Sequence, residues 1–364
     1  MKADARRPVR IVSVFPGFGV GGAQVRFAQL ANRFGANAQH VIVSLNGDLG
    51  CREKLDPSLD LQFPQAGHRQ GRMLRAMTHA RRFLRAQAPD LVLTSNWGTI
   101  EWAIGARLAG LRHVHSEDGF GPEERSAQIR RRVAMRRLAL RGSAVVLPSR
   151  NLVRIATELW RLPPTHLHYI PNGIDLARFA HSVPMVVAGA GPVIGTLAAL
   201  RPEKNIGRLL RAFATLRASR PARLVVVGDG PERGALEHLA ATLGIAGDTL
   251  FAGHSAQAER WLAAFDVFAL SSDTEQMPIS LLEAMAAGVP AVCTDVGDVR
   301  VMLAAQNLPF VTAVDDAAFA AGLASLLDAA RDPVGAANRA RAEAEFDESR
   351  MFAAWGKVLG VSLH

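Results

Sequence analysis

SDTEQMPISLLEAMAAGVP, residues 272 to 290, reads as a polar loop, a helix and a helix stop, with apolar runs at Val267–Leu270 before it and Ala291–Thr294 after it. Pro278 suits the first turn of a helix, where its missing N–H costs nothing. Gly288 and Pro290 end that helix. Short apolar runs on either side of a helix describe a strand–helix–strand unit, the building block of a parallel sheet. Two carboxylates bracket the helix start, Glu275 in the loop and Glu283 inside the helix. A helix start offers unpaired N–H groups and the positive end of a dipole to an anion. The carboxylates beside it would then be free to accept hydrogen bonds from hydroxyls. A ligand with phosphates in its middle and polyols at both ends, such as a nucleotide-sugar, has that shape. The plainer alternative is an ordinary core face, Leu281, Leu282 and Met285, with glutamates on solvated turns.

Working outward, the same alternation fills the chain. Strands are expected at Val9–Phe15, His40–Leu45, Leu91–Thr94, His113–His115, Ala144–Pro148 and His168–Ile170. A second series runs Val193–Leu197, Arg223–Val227, Leu250–Ala252, Val267–Leu270, Ala291–Thr294 and Pro309–Val311. Helices are expected between them at Ala23–Phe34, Arg72–Gln87, Ile100–Ala109, Asn205–Ser219, Pro231–Leu243, Ala256–Ala264 and Ala317–Ala330. Strands alternating with helices argue for an α/β class with parallel sheets. Two series predict two doubly wound domains, joined by a linker over residues 181–192 and facing across a cleft, with ligands beyond the carboxyl ends of the strands.

The 364 residues, 49% hydrophobic and 21% charged, suit two globular domains of ordinary size. No apolar run is long enough to span a bilayer, and no apolar segment follows the charged N-terminal residues as in a signal peptide. Cys51 and Cys293 lack metal-ligand or redox spacing and read as reduced thiols, which predicts a cytoplasmic protein without a metal site. The net charge of +9 is uneven, since residues 1–180 hold 27 Lys and Arg against 13 Asp and Glu. Such asymmetry predicts a polyanion or an anionic membrane surface as partner of the first half. Two arginine clusters carry it. Arg125, Arg130, Arg131, Arg132, Arg136, Arg137 and Arg141 are interleaved with Ile129, Val133, Met135, Leu138 and Leu140, and Arg69, Arg72, Arg75, Arg81, Arg82 and Arg85 form the other. The first reads either as a basic amphipathic helix on anionic lipid, at the inner face of a membrane, or as a surface helix packing its apolar side inward. Nucleic acid is disfavoured, because no recognition motif is present and a single Tyr leaves little to stack bases.

Four further segments carry candidate chemistry. The first strand ends in Pro16-Gly17-Phe18-Gly19-Val20-Gly21-Gly22, where glycines permit a close backbone approach to a phosphate or sugar, or simply a turn. The spacing is not that of a nicotinamide dinucleotide site. Arg201 and Lys204 stand at the carboxyl end of a strand, where two cations could neutralise a diphosphate or merely be solvated. The turn at Val227-Gly228-Asp229-Gly230-Pro231 brings backbone close to something. His115, in His113-Val114-His115-Ser116-Glu117-Asp118, stands at a strand end, either projecting outward into a site or structural.

In this order the segments resemble a retaining glycosyltransferase of family 4 (glycosyl transferases group 1), with the GT-B fold. The resemblance also takes in Pro171-Asn172-Gly173-Ile174-Asp175, and the Glu-x7-Glu pair Glu275 and Glu283. It implies an acceptor-side Rossmann-like domain over 1–180, a nucleotide-sugar domain over 193–345 and a helix over 346–364 that crosses back to the first domain. It implies sugar transfer, with retention, from a UDP- or GDP-sugar to a polysaccharide, lipopolysaccharide or lipid-linked acceptor. By the same resemblance Lys204 and Arg201 hold the diphosphate and Glu283 accepts from the ribose hydroxyls. Glu275 and the segment Met277, Pro278 and Ile279, with the amides of Met277 and Ile279, meet the sugar and distal phosphate at that helix start. Gly21 and Gly22 approach the phosphate, Gly228 lies beside the nucleotide, and His115 contacts the sugar. His115, Lys204 and Glu275 are the implied catalytic set. No metal or other cofactor is implied, because cations and a helix N-terminus stabilise the leaving diphosphate. The alternatives are a nucleotide-sugar epimerase of the same architecture and a catalytically silent nucleotide-sugar binder. The chain departs from the family at Ala199, where Arg is frequent, at Gln276, where Gly is usual, and at Gln24, where Glu is common.

Overall fold

In the computed structural model, which describes residues 7–66, 73–124 and 127–363, the chain forms two compact units. The first holds a seven-stranded sheet, all parallel: β1 (Val9–Phe15), β2 (Ala38–Ser44), β3 (Leu61–Gln62), β4 (Leu91–Ser95), β5 (His113–Ser116), β6 (Ala144–Leu147) and β7 (Leu167–Tyr169), in the order β3-β2-β1-β4-β5-β6-β7. The second holds a six-stranded parallel sheet: β8 (Val193–Leu197), β9 (Arg223–Val227), β10 (Thr249–Gly253), β11 (Val267–Leu270), β12 (Ala291–Thr294) and β13 (Val311–Thr312), in the order β10-β9-β8-β11-β12-β13. The α/β class and the two Rossmann-like domains are therefore as expected.

Each sheet is buried on both faces, which is why its strands read as unbroken apolar runs. Side chains alternate across the pleat. Ile11 and Phe15 of β1 pack into one core cluster, while Val12 and Val14 pack into another on the opposite face. In β9, Val225 and Val227 face one cluster, and Leu224 and Val226 the other. In each unit the strand order reverses direction once, between β1 and β4 and between β8 and β11. Loops diverge at such a switch point and leave a crevice beyond the carboxyl ends of the strands.

The C-terminal helix, Glu348–Leu359, belongs to the first unit. Met351, Phe352 and Trp355 are buried in the cluster that covers Ile11 and Phe15, each side chain stabilising the fold by about 2 kcal/mol. Arg112 caps its end, donating to the Leu359 and Val358 carbonyls at 2.9 and 2.6 Å.

The division falls at 171/172 and 348/349, rather than at 180/181 and 345/346. The cause is local bonding. Asn172 Nδ2 donates to the Met277 carbonyl at 3.2 Å, Ile174 N to the Phe346 carbonyl at 2.8 Å, and Phe179 is buried in a second-unit cluster. The expected linker also runs along the second unit, with Met185 N donating to Arg260 O at 3.0 Å and Arg223 Nε to Ala188 O at 2.6 Å.

The basic segment forms the helix Arg130–Leu140, and it does not present a clean apolar side. Ile129 and Leu138 are exposed, whereas Arg136 is fully buried. Arg125, Arg69 and Arg72 lie outside the described residues. No helix among the described residues is long and apolar enough to cross a membrane.

Candidate functional site

The second unit's switch point brings the loop after β8 against the loop after β11. The short turn Pro202–Lys204 carries Lys204, and Asn205 follows in the left-handed region, at φ 42°. Asn205 Oδ1 caps the helix Ile206–Arg217 by accepting from Arg208 N at 3.1 Å. Its Nδ2 donates across to Asp273 Oδ1 at 2.9 Å. Asp273 N donates to Glu203 O at 2.9 Å and Ser271 Oγ to Lys204 O at 3.1 Å. The buried Arg208 guanidinium closes the seam, donating to Ser271 O at 2.7 Å and pairing with Asp273 at 3.0 Å.

This seam sets Lys204 against Glu275. Lys204 Nζ donates to Glu275 Oε1 at 2.6 Å, and Ser272 Oγ donates to the same oxygen at 2.8 Å. The Glu275 backbone is fixed from behind. Gly297 has φ +54°, and a Cβ there would stand 2.4 Å from the Glu275 carbonyl. Asp298 N donates to Gln276 O at 2.9 Å. The helix Ile279–Ala286 then starts at Pro278 without a side-chain cap. Among the described residues the amides of Ile279 and Ser280 have no acceptor. They form, with Lys204, a setting for an anion. The Glu283 carboxyl has no hydrogen-bond partner among the described residues. Burial pushes it up to about 7, with Arg178 opposing the shift and Glu259 adding to it.

The other expected residues divide. Arg201 is exposed, and its guanidinium makes no hydrogen bond among the described residues, so it is available to a ligand. Gly228 has φ +136°, and a Cβ there would stand 1.9 Å from the Ala198 carbonyl. Its glycine is thus required inside the fold, where it seats the loop that carries Lys204. Gly21 and Gly22 begin the uncapped helix Gly22–Phe34. Gly21 is extended, and a Cβ there would meet only the flexible Gln24 side chain, whose Nε2 donates to Gly17 O at 2.9 Å.

His115 requires a correction. Of its two readings, projecting into a site or structural, the structure favours the second, because His115 is fully buried. Thr94 Oγ1 on the neighbouring β4 bridges His115 Nδ1 and His113 Nε2 at 2.8 Å each, and His113 Nδ1 reaches Ser143 Oγ at 2.6 Å. On its far side His115 Nε2 stands 3.6 Å from the buried Glu117, which stands 3.4 Å from Arg136 Nε. Arg136 completes the series with a paired contact to Glu124 at 3.1 and 2.9 Å, its guanidinium over the rings of Trp97, Phe120 and Trp160. Burial, and then His115 beside it, push the His113 imidazole down to about 3.

Two groups at the first unit's switch point escaped the sequence reading. Arg26 pairs with Asp118 at 2.5 Å and donates to Ser116 Oγ at 3.1 Å. Asn96, at φ 60°, accepts from Asp118 N at 2.8 Å. The available signal was Arg26 itself, a cation on the otherwise apolar inward face of its helix.

Comparison with known proteins adds the following. A model described as Glycosyltransferase Family 4 matches residues 20–178, and one described as Glycosyl transferases group 1 matches residues 191–329. The putative glycosyltransferase EpsF of Bacillus subtilis is 31% identical over 211 residues, 53% of this chain and 54% of that protein. A GDP-mannose-dependent alpha-mannosyltransferase of Mycobacterium tuberculosis is 32% identical over 140 residues, 37% of this chain and 35% of that protein. The chain thus spans about half the length, or less, of these relatives. The solved structure of Anabaena Alr3699/HepE in complex with UDP superposes with a TM-score of 0.80 at 17% identity, covering 97% of this chain and 100% of that one, a likeness of fold.

Proposed function

From membership of the family 4 glycosyltransferases of GT-B fold, to which this chain belongs, we propose that it moves a sugar, with retention of configuration, from a nucleotide-diphospho-sugar to a polysaccharide, lipopolysaccharide or lipid-linked acceptor. A UDP-sugar is the favoured donor and a GDP-sugar the alternative. The observation that carries this reading is the Lys204–Glu275 pair at the switch point, 2.6 Å apart and beside a helix start with open amides.

Lys204, with Arg201, holds the diphosphate. The amides at the start of the Ile279–Ala286 helix take the distal phosphate. Glu275 accepts from the sugar and Glu283 from the ribose hydroxyls. In the transfer the bond from the anomeric carbon to the distal phosphate oxygen breaks, and a bond to an acceptor hydroxyl oxygen forms. The hydroxyl proton passes to the departing diphosphate, whose charge Lys204 stabilises. This chemistry needs no metal. The exposed face of the Arg130–Leu140 helix, with Arg130, Arg131, Arg137 and Leu138, supports contact with an anionic surface that carries the acceptor.

A thermal-shift panel of UDP, GDP and ADP with their sugars identifies the base, since a bound ligand stabilises by mass action. Release of free nucleotide that depends on an added acceptor separates transfer from epimerisation and from silent binding. Full transfer by Lys204→Ala and Glu275→Ala variants on the donor so identified would overturn the proposal.

A further inference from the structure

Glu275 occupies Lys204 before any ligand arrives. Both bonds to its carboxylate, from Lys204 Nζ at 2.6 Å and from Ser272 Oγ at 2.8 Å, fall on Oε1. Oε2 takes neither and stays open as an acceptor. The two residues cannot swing apart easily. Gly297 and the Asp298 amide hold the Glu275–Gln276 carbonyls. The Ser271 hydroxyl and the Asn205–Asp273 bond hold the backbone around Lys204. A diphosphate that reaches the Lys204 ammonium therefore comes to rest beside a fixed negative charge.

The substrate and the spent nucleotide meet that charge differently. In a nucleotide-sugar the distal phosphate is a diester with one charge, and the sugar beside it brings hydroxyls that can donate to Oε2. In a nucleoside diphosphate the distal phosphate is a monoester, whose second ionisation lies near pH 6. It brings additional negative charge at neutral pH and no hydroxyl. We propose that Glu275 makes this site discriminate the sugar-loaded nucleotide from the spent nucleoside diphosphate, by repelling the extra charge on the distal phosphate. This rests on the donor reading given above and assigns Glu275 a role in product release besides its contact with the sugar. At an effective dielectric of about 50, as for a largely screened pair, one additional charge at about 5–6 Å shifts the affinity by about five- to tenfold.

The test compares UDP with UDP methylated on its distal phosphate, which removes the second ionisation without adding a sugar, by calorimetry at pH 7.5. The GDP pair replaces it if the thermal-shift panel selects guanosine. Lys204 and the open amides favour the free diphosphate and Glu275 opposes them, so the ratio of the two affinities in the wild-type chain is the reference. Glu275→Gln keeps the side-chain shape and is expected to shift that ratio about five- to tenfold toward the free diphosphate, by tightening it. An unchanged ratio in Glu275→Gln overturns the inference while the donor reading stands. Failure of UDP, GDP and ADP alike to bind the wild-type chain overturns the donor reading, and the inference with it. If Glu275→Gln does not fold, Glu275→Ala, which removes the same charge, is expected to give the same shift and decides in its place.

Discussion

Two groups of charged side chains stand at the carboxyl ends of strands, one in each unit, and their surroundings are opposite. In the second unit Lys204 and Glu275 form a single ion pair, with 24% and 10% of their side-chain surfaces exposed, next to amides without acceptors. In the first unit His115, Glu117 and Arg136 are 0% exposed, tied through Thr94, His113 and Glu124 into an interior series. The same place in the same type of sheet is thus left partly open in one unit and closed into the core in the other. What differs is the neighbouring hydroxyls. Thr94 and Ser143 offer His113 and His115 partners inside, while Ser272 orients Glu275 without covering it.

Four measurements sharpen or break that contrast. The largest effect is expected for Lys204→Ala, which should lower transfer by about 10³-fold, about 4 kcal/mol of transition-state stabilisation. Its unfolding free energy should change by less than about 1 kcal/mol, because a partly exposed pair adds little to stability. Parallel kinetics and urea titration check both numbers, and an unfolded variant would erase the distinction. Arg136→Met should do the reverse. Leaving Glu124 and Glu117 without their cation should cost about 3 kcal/mol or more, read by urea unfolding, with nucleotide affinity unchanged.

The third measurement is pH, where the units should respond with opposite sign. His40, pushed down to about 4 by burial against a weaker pull from Asp60, and His113, at about 3, are neutral in the folded chain. The unfolded chain takes up protons first, at about 6.5. Their stabilisation is therefore full above 6.5 and drains from the first unit as pH falls toward 4, by about 2 kcal/mol or more. Glu283 is raised to about 7, so the folded second unit binds its proton more tightly and gains stability as pH falls from 7 to about 4.5. Four of the five tryptophans, Trp97, Trp102, Trp160 and Trp355, lie in the first unit. Tryptophan fluorescence should therefore report acid unfolding ahead of the second unit's protection in hydrogen exchange. Simultaneous loss would contradict the assignment. The smallest effect is at the surface. Replacing the exposed Arg130 and Arg131 by Glu should change stability by under about 0.5 kcal/mol while lowering co-sedimentation with anionic vesicles at low salt. Unchanged co-sedimentation would remove the membrane contact from the proposal.

How far the sequence reveals these regions follows from what each rests on. Strands buried on both faces announce themselves as apolar runs, so β1, β8, β9, β11 and β12 are legible to within a residue. The helix Arg331–Glu345 is not, because its inward side holds Gly335 and Asn338. Asn338 Nδ2 donates to Asn307 Oδ1 at 2.7 Å, and Asn307 in turn bonds Ala291 of β12. A buried amide pair looks like two surface residues until its partner is known. Lys204 and Glu275 are legible as candidates by type, but their pairing depends on β8 lying beside β11, which only the strand order supplies. The choice between the two readings of His115 was open for the same reason. Its environment is set by Thr94 on β4 and by Arg136 on a later helix, and no local pattern encodes either.

The return of the C-terminal helix to the first unit has a consequence for synthesis. The sheet that carries Ile11 and Phe15 is complete once β7 has been made, yet Met351, Phe352 and Trp355, which cover it, come from the end of the chain. At about 5–20 residues per second, that face waits on the order of ten seconds for its cover. The whole second unit is made during that interval. Chains cut short within the last helix would keep two formed sheets and one uncovered apolar face, the kind of species that aggregates.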